Sequence, residues 1–215
     1  MIKPVVKYMG VAALLMAGAA NAETVNLDFS TYSAGTTLSA LDGVSFDVSG
    51  GPSASGAPAI TNWDNHGLSN SLSGEYPTGT TLTFTFTTGL ASDISFNFDN
   101  YGLPEGATGR GNSTYTAYGL NGSVLSSGSV IGTGGNDFYA LTGLSDVYKL
   151  AFNNGANGSD TSFDGSWLFD VKTLSATISP VPEPETYALM GIGLLGLFAA
   201  SKRKKSTQDA DGIAA

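Results

Sequence analysis

The chain contains no cysteine. It therefore relies on no disulfide in an oxidising compartment, and it holds no thiolate nucleophile or thiolate metal ligand. Histidine is nearly absent as well. His66 is the single one, so a Ser-His-Asp arrangement would have to use it, yet Trp63-Asp64-Asn65-His66-Gly67 reads as a polar loop and no nucleophile elbow occurs. Positive charge is scarce: nine Lys and Arg stand against 18 Asp and Glu, a formal net charge of −9. Between residues 23 and 180 only Arg110, Lys149 and Lys172 oppose 14 acidic residues, which leaves that region at −11. Nucleic acid and anionic lipid are disfavoured as partners there, since both need clustered Lys or Arg. Divalent cations and neutral sugars remain compatible with such a balance.

Long apolar runs occur only at the two ends. At the first, Lys3 and Lys7 precede an apolar stretch over 11–17, and Ala20-Asn21-Ala22 supplies the small residues of a cleavage site before Glu23. That order is a secretory signal peptide, with Ala20 and Ala22 at the positions read by signal peptidase. At the other end, Pro182-Glu183-Pro184 leads into the apolar run 187–200, followed by Lys202, Arg203, Lys204 and Lys205. Fourteen residues at the helical rise give roughly 21 Å, short of the ~30 Å hydrocarbon core. The basic cluster compensates, because its long stems can lie along the helix while its charges reach the headgroups. Those charges also favour the cytoplasmic side, which leaves the preceding chain outside. The two prolines end regular structure before the span and leave an extended, accessible strip at the membrane surface.

These residues closely resemble the PEP-CTERM sorting tail: Val-Pro-Glu-Pro at Val181 to Pro184, a short apolar helix with Gly and Leu, and a basic cluster. The resemblance covers about residues 180–205. It implies recognition by an exosortase, a membrane-embedded cysteine transpeptidase-like enzyme, and delivery to the cell surface or extracellular matrix of an exopolysaccharide-producing Gram-negative bacterium. The tail also resembles one carried by ice-binding proteins. The expected organisation is a signal peptide over 1–22, one domain over 23–180, the sorting tail over 181–205, and a polar end over 206–215.

The central region reads as all-β. Over 80–87, Leu82, Phe84 and Phe86 alternate with Thr81, Thr83, Thr85 and Thr87, the two-residue period of a half-buried strand. Ile94, Phe96 and Phe98 repeat the pattern, and Thr88 to Asp93 reads as a turn, so these two strands are expected to pair antiparallel. Further strands are expected over 25–29, 44–48, 114–118, 124–127, 138–141, 147–152 and 167–178. Asn121-Gly122 predicts a two-residue hairpin turn, since both positions tolerate positive φ. Nine short strands, no helical periodicity and no fixed repeat point to a single β-sandwich of jelly-roll type. Residues 117–178 resemble the carboxyl half of exported jelly-roll domains that precede such tails.

Candidate sites are few. Asn153, Asn154, Asn157, Asp160 and Asp164 crowd one glycine-rich loop and offer the hard oxygens that Ca²⁺ takes, without EF-hand spacing. Resemblance to jelly-roll carbohydrate-binding domains, which hold a structural calcium between first and last strands, nominates Asp28 and Asp170 instead. Sugar faces would stack on Trp63, Tyr76, Tyr101 and Tyr139, all expected in or near loops, whereas Trp167 is expected in the core. The carboxylate pairs a glycosidase needs are available only in principle, as in Glu75 with Asp99 or Glu105. The threonine row Thr81 to Thr87 would suit an ice-matching face only if an adjacent strand repeated it, and outward threonines are ordinary on a half-buried strand. The expectation is a structural or adhesive envelope protein that is no enzyme. A carbohydrate-binding module, calcium-dependent or not, is the alternative, and an ice-binding surface or a glycan hydrolase the remote ones. Exopolysaccharide is the expected partner.

Overall fold

The computed structural model describes residues 21–50, 56–61, 67–70, 80–100, 113–130, 137–153, 169–181 and 191–197. Two units are distinguished: 22–180 forms one, and the flanking terminal residues form the other. The first unit holds twelve strands among the described residues: β1 (Glu23–Asp28), β2 (Ala40–Leu41), β3 (Val44–Ser49), β4 (Ala59–Ile60), β5 (Leu68–Ser69), β6 (Thr81–Phe86), β7 (Leu90–Asn100), β8 (Ser113–Tyr118), β9 (Val124–Val130), β10 (Asp137–Leu141), β11 (Lys149–Asn153) and β12 (Phe169–Ser179). A single 3-10 turn, Phe29–Thr31, follows β1. The all-β expectation holds.

The strands build two six-stranded sheets. One runs β10-β7-β12-β5-β4, with β1 also pairing β12, and the other runs β2-β3-β6-β11-β8-β9. Every pairing between strands is antiparallel. Alternation decides which side of each sheet is dry. In β6 the residues Leu82, Phe84 and Phe86 are buried while the threonines between them stay partly exposed.

Phenylalanine fills the space between the sheets. Phe46, Phe84 and Phe152 come from one sheet, Phe96, Phe98 and Phe169 from the other, and Phe29 from the turn after β1. Phe152 is the hub, with ring centroids 5.7 Å from Phe84, 4.9 Å from Phe96, 5.8 Å from Phe98 and 6.4 Å from Phe169. Phe46 extends the seam to Phe84 at 5.4 Å and to Phe29 at 5.5 Å, both edge-to-face. Such pairs contribute about 0.5–1.5 kcal/mol each beyond the area they bury.

The expected β6–β7 hairpin is not formed. β6 pairs with β3 and β11, whereas β7 pairs with β10 and β12 in the facing sheet. Period-two alternation reports which face is buried and is silent on which strand lies alongside. Both strands bury phenylalanines, and those rings meet across the core through Phe152 rather than side by side. The crossing is made over 87–89, where Thr87 donates from its amide and its hydroxyl to the Gly43 carbonyl, each at 2.8 Å. A Cβ on Gly89 would run into the Ser179 carbonyl, so this position has to be glycine. Residues 90–93, expected in the turn, already belong to β7, where Asp93 at φ 50° lies beside a shift in the pairing with β12. That bulge moves the buried set from Ala91 onto Ile94, Phe96 and Phe98.

The β8–β9 hairpin forms as expected, with a different turn. Gly122 donates to the Gly119 carbonyl at 2.9 Å, and only Gly122 of the expected Asn-Gly pair has positive φ, at 79°. A turn over Gly119–Gly122 closed by a left-handed glycine is the geometry of a longer hairpin loop. The two-residue strands β2, β4 and β5 carry no periodic signal and were not expected.

Truncating the hub should be costly and truncating an exposed ring should not. Phe152→Ala is expected to lower unfolding free energy by about 3–5 kcal/mol in urea titrations, whereas Phe138→Ala, at 66% exposure, should change it by less than about 0.5 kcal/mol. Equal losses would refute the seam as the source of stability.

Candidate functional site

The connections of the sandwich sort by end. At one end lie the compact ones: Asp42-Gly43 and 119–123 join paired strands, and 87–89 and 142–148 cross between the sheets. Glu23 pairs with Ile178 and Ser179 with Leu90, so the chain enters and leaves the domain at this same end. At the opposite end the described residues flank the segments 71–79, 101–112, 131–136 and 154–168. The register requires it: Thr81 pairs with Asn153, Asn153 with Thr114, Ser113 with Val130 and Phe169 with Asn100.

A buried polar layer closes the core at that opposite end. Asn70, fully buried, donates from its side-chain amide to Thr80 Oγ1 at 2.7 Å and accepts from the Phe169 amide at 3.0 Å. Asn153 donates to the Thr80 carbonyl at 3.2 Å and to Thr81 Oγ1 at 2.8 Å. Thr80, which leads into β6, therefore accepts from Asn153 at the end of β11 in its own sheet and from Asn70 beside β12 of the other, and the layer ties the two sheets together. Directional bonds of this sort fix the register that the greasy seam alone leaves loose.

Beside it, Asp170 on β12 and Asp99 on β7 are cross-strand partners, both buried at 0% and 1% exposure. Thr61 Oγ1 donates to Asp170 Oδ2 at 3.1 Å and in turn accepts from the Gly67 amide at 3.2 Å. A Cβ on Gly67 would strike the Asp170 carboxylate, so the absence of a side chain lets this strand approach. Cross-strand geometry holds the two Cβ atoms about 4.5–5.5 Å apart. Two enclosed carboxylates with a hydroxyl alongside are oxygen donors of the kind a hard cation takes. Enclosure also keeps the pair away from any bulky substrate.

The nominated residues distribute as follows. Asp28 is not brought into this cluster. It is exposed and caps the 3-10 turn, accepting at Oδ1 from the Ser30 amide at 3.0 Å and the Ser30 hydroxyl at 2.6 Å, and it pairs with Thr173. Asp170 has Asp99 and Ser69 as strand partners instead. Tyr139, expected near a loop rim, lies within β10 on the core-facing side, stacked on Phe96 at 5.4 Å. Ala22 is exposed. Trp63, Tyr76, Tyr101, Asn157, Asp160, Asp164, Ala20, Pro182, Glu183, Pro184, Lys202, Arg203, Lys204 and Lys205 lie outside the described residues. No group of three or more His, Cys, Asp or Glu converges among the described residues. Thr61, Asn70 and Thr80 went unnoticed in the sequence, and Asp99 was considered only as a glycosidase carboxylate and not as the partner of Asp170, because each sits where alternation assigns a solvent-facing or turn position.

The first unit ends where a recognised segment starts. A family model, the PEP-CTERM protein-sorting motif, matches residues 180–204. This chain carries that motif. It marks an exported protein whose C-terminus is a membrane-associated signal for exosortase. No curated protein matches the chain. The PEP-CTERM match begins directly after Ser179, the last residue of β12, so folded domain and sorting signal abut without a linker between them. Within the motif, residues 191–197 are helical. Among the described residues no helix is long and apolar enough to cross a membrane.

Asn70→Ala should destabilise the domain by about 1–3 kcal/mol, because it strands the buried Phe169 amide. Ser175→Ala, which removes an exposed bond to Asn26, should cost well under half as much. Urea titration of both variants checks this, and equal costs would contradict the clamp.

Proposed function

We propose that this protein is a non-catalytic structural or adhesive domain of the cell surface or extracellular polysaccharide matrix, released from the inner membrane after exosortase acts on its PEP-CTERM tail. Signal peptidase acts at Ala20 and Ala22, exosortase at Pro182 to Pro184, and the basic residues Lys202 to Lys205 hold the precursor in place. The observation that carries this reading is the polarity of the sandwich. Entry and exit lie together at one end, which leaves the other end of the sandwich clear of both chain termini of the domain. The strand orders β1-β12-β7-β10 and β6-β11-β8-β9 support the jelly-roll reading.

The outward surface of the second sheet suits contact with a hydrated polymer. Cross-strand rows place Ser45 beside Thr85, Ser49 beside Thr81, Thr114 beside Ser129, and Thr116 beside Ser127. This is a broad, mostly uncharged hydroxyl face. It is no repeated threonine grid, since Lys149, Ala151 and Asn153 on β11 separate the Thr81–Thr85 row from Thr114 and Thr116.

A carbohydrate-binding module is the second reading. It is favoured by where Tyr76 and Tyr101 fall in the sequence, in segments flanked by residues of one and the same end, with Trp63 as a further aromatic of the set. Calcium would serve it as a structural ion, with Asp99, Asp170 and Thr61 supplying oxygens.

Replacing Pro182, Glu183 and Pro184 by alanine, with the apolar run intact, should leave the precursor in the inner membrane, read by cell fractionation and intact mass. Surface release at the parental level would contradict exosortase sorting. Trp63→Ala with Tyr101→Ala should weaken retention on the host's own exopolysaccharide by about tenfold or more at unchanged Tm, as loss of two stacking faces implies. Unchanged retention removes the glycan-module reading, and identical retention in calcium and in EDTA removes the ion.

A further inference from the structure

The end of the sandwich from which the chain leaves carries an apolar tip. Leu120 is 61% exposed and Val124 59%, and Leu125 is exposed beside them. Leu90, Leu120 and Leu125 line an open groove of about 370 Å³ bordered by Asp146. Turns and hairpin loops are normally polar, so leucines at and beside a turn are out of place unless something covers them.

Location identifies the cover. Leu90 is the direct strand partner of Ser179, the last residue before the sorting motif. Seven residues, 180–186, separate Ser179 from the apolar run at 187. Fully extended they reach at most about 25 Å. A tail seated in a bilayer therefore holds the leucines at its surface at an effective concentration in the millimolar range or above, where a contact too weak to act alone is populated. The tip is also held in shape before contact. Gly119 donates to the Ser123 carbonyl at 2.9 Å, and the Ser123 amide donates to Asn121 Oδ1 at 3.0 Å. Little ordering entropy is then lost on docking. From 119 to 125 no residue is charged, in a chain of net charge −9, so these residues can approach a zwitterionic headgroup layer without desolvating a charge of their own, while Asp146 at the groove's border stays at its wet edge.

We propose that, while the tail is anchored, the β8–β9 hairpin tip rests in the bilayer interface through Leu120, Val124 and Leu125. This rests on the reading that the PEP-CTERM tail enters the membrane. The contact would be lost on release, which makes it a property of the precursor.

The absence of native cysteine makes the test clean. Full-length protein is reconstituted in phosphatidylcholine vesicles with one fluorophore on Ser123→Cys, Asp47→Cys or Ile192→Cys, and quenched by lipids bearing a quencher at headgroup depth or deeper. The fluorophore at 192 should be quenched from within the bilayer. At 123, headgroup-level quenching should exceed that at 47 by about threefold or more, as an interfacial depth of several ångströms gives, and Leu120→Ser with Leu125→Ser should abolish the excess. Position 123 as weakly quenched as 47, with 192 quenched, overturns the proposal alone. Position 192 unquenched overturns it together with the tail reading. Protection at 123 that disappears on dilution of protein in lipid identifies a second copy as the occupant and overturns it too.

Discussion

Everything in this domain hangs on the contact of phenylalanine rings across the gap between two sheets. With no disulfide available, register and sheet spacing must come from packing and buried hydrogen bonds. Phe152 meets rings from β6, β7 and β12, so it couples strands far apart in sequence and makes the sandwich one cooperative unit. Aromatic packing does not point, however, and a seam of similar rings tolerates sliding. The bonds around Asn70 and Thr80 remove that freedom at one end, and the crossing at Thr87 and Gly89 removes it at the other.

A sandwich closed in this way has two unlike ends. One is tight, with short connections, and receives both the incoming and the outgoing chain. The other carries the polar layer, the buried Asp99 and Asp170 pair, and the flanks of the longer segments. The PEP-CTERM motif follows in sequence from the end at which the chain leaves. β12 ends at Ser179, and the motif begins at the next residue of the sequence.

Much of this was legible in the residues. Alternation in β6 and β7 announced strands and their buried faces, and the order of Pro-Glu-Pro, apolar run and basic cluster announced the sorting tail. Partnership was not legible. The nearest strand in sequence is the usual neighbour, yet β6 and β7 face each other across the core, since ring packing through Phe152 outweighed a local hairpin. The Asn121-Gly122 signal found the hairpin but overstated its tightness, because only the glycine uses its left-handed freedom. Asp28 and Asp170 were linked by the pairing of first and last strands, which is real, yet β12 is longer than β1 and Asp170 falls beyond their shared register. Asp99 looked outward by alternation, and what covers it comes from other parts of the chain, which a two-residue period does not encode.

The central claim is that this β-sandwich is an exported domain cut from its membrane tail. Intact mass of the native protein recovered from its own host, together with the fraction in which it is found, tests that most directly. The account predicts a surface or matrix species that begins at Glu23 and has lost the apolar run. An inner-membrane species retaining residues 187–205 would contradict it and leave a plainly anchored β-domain.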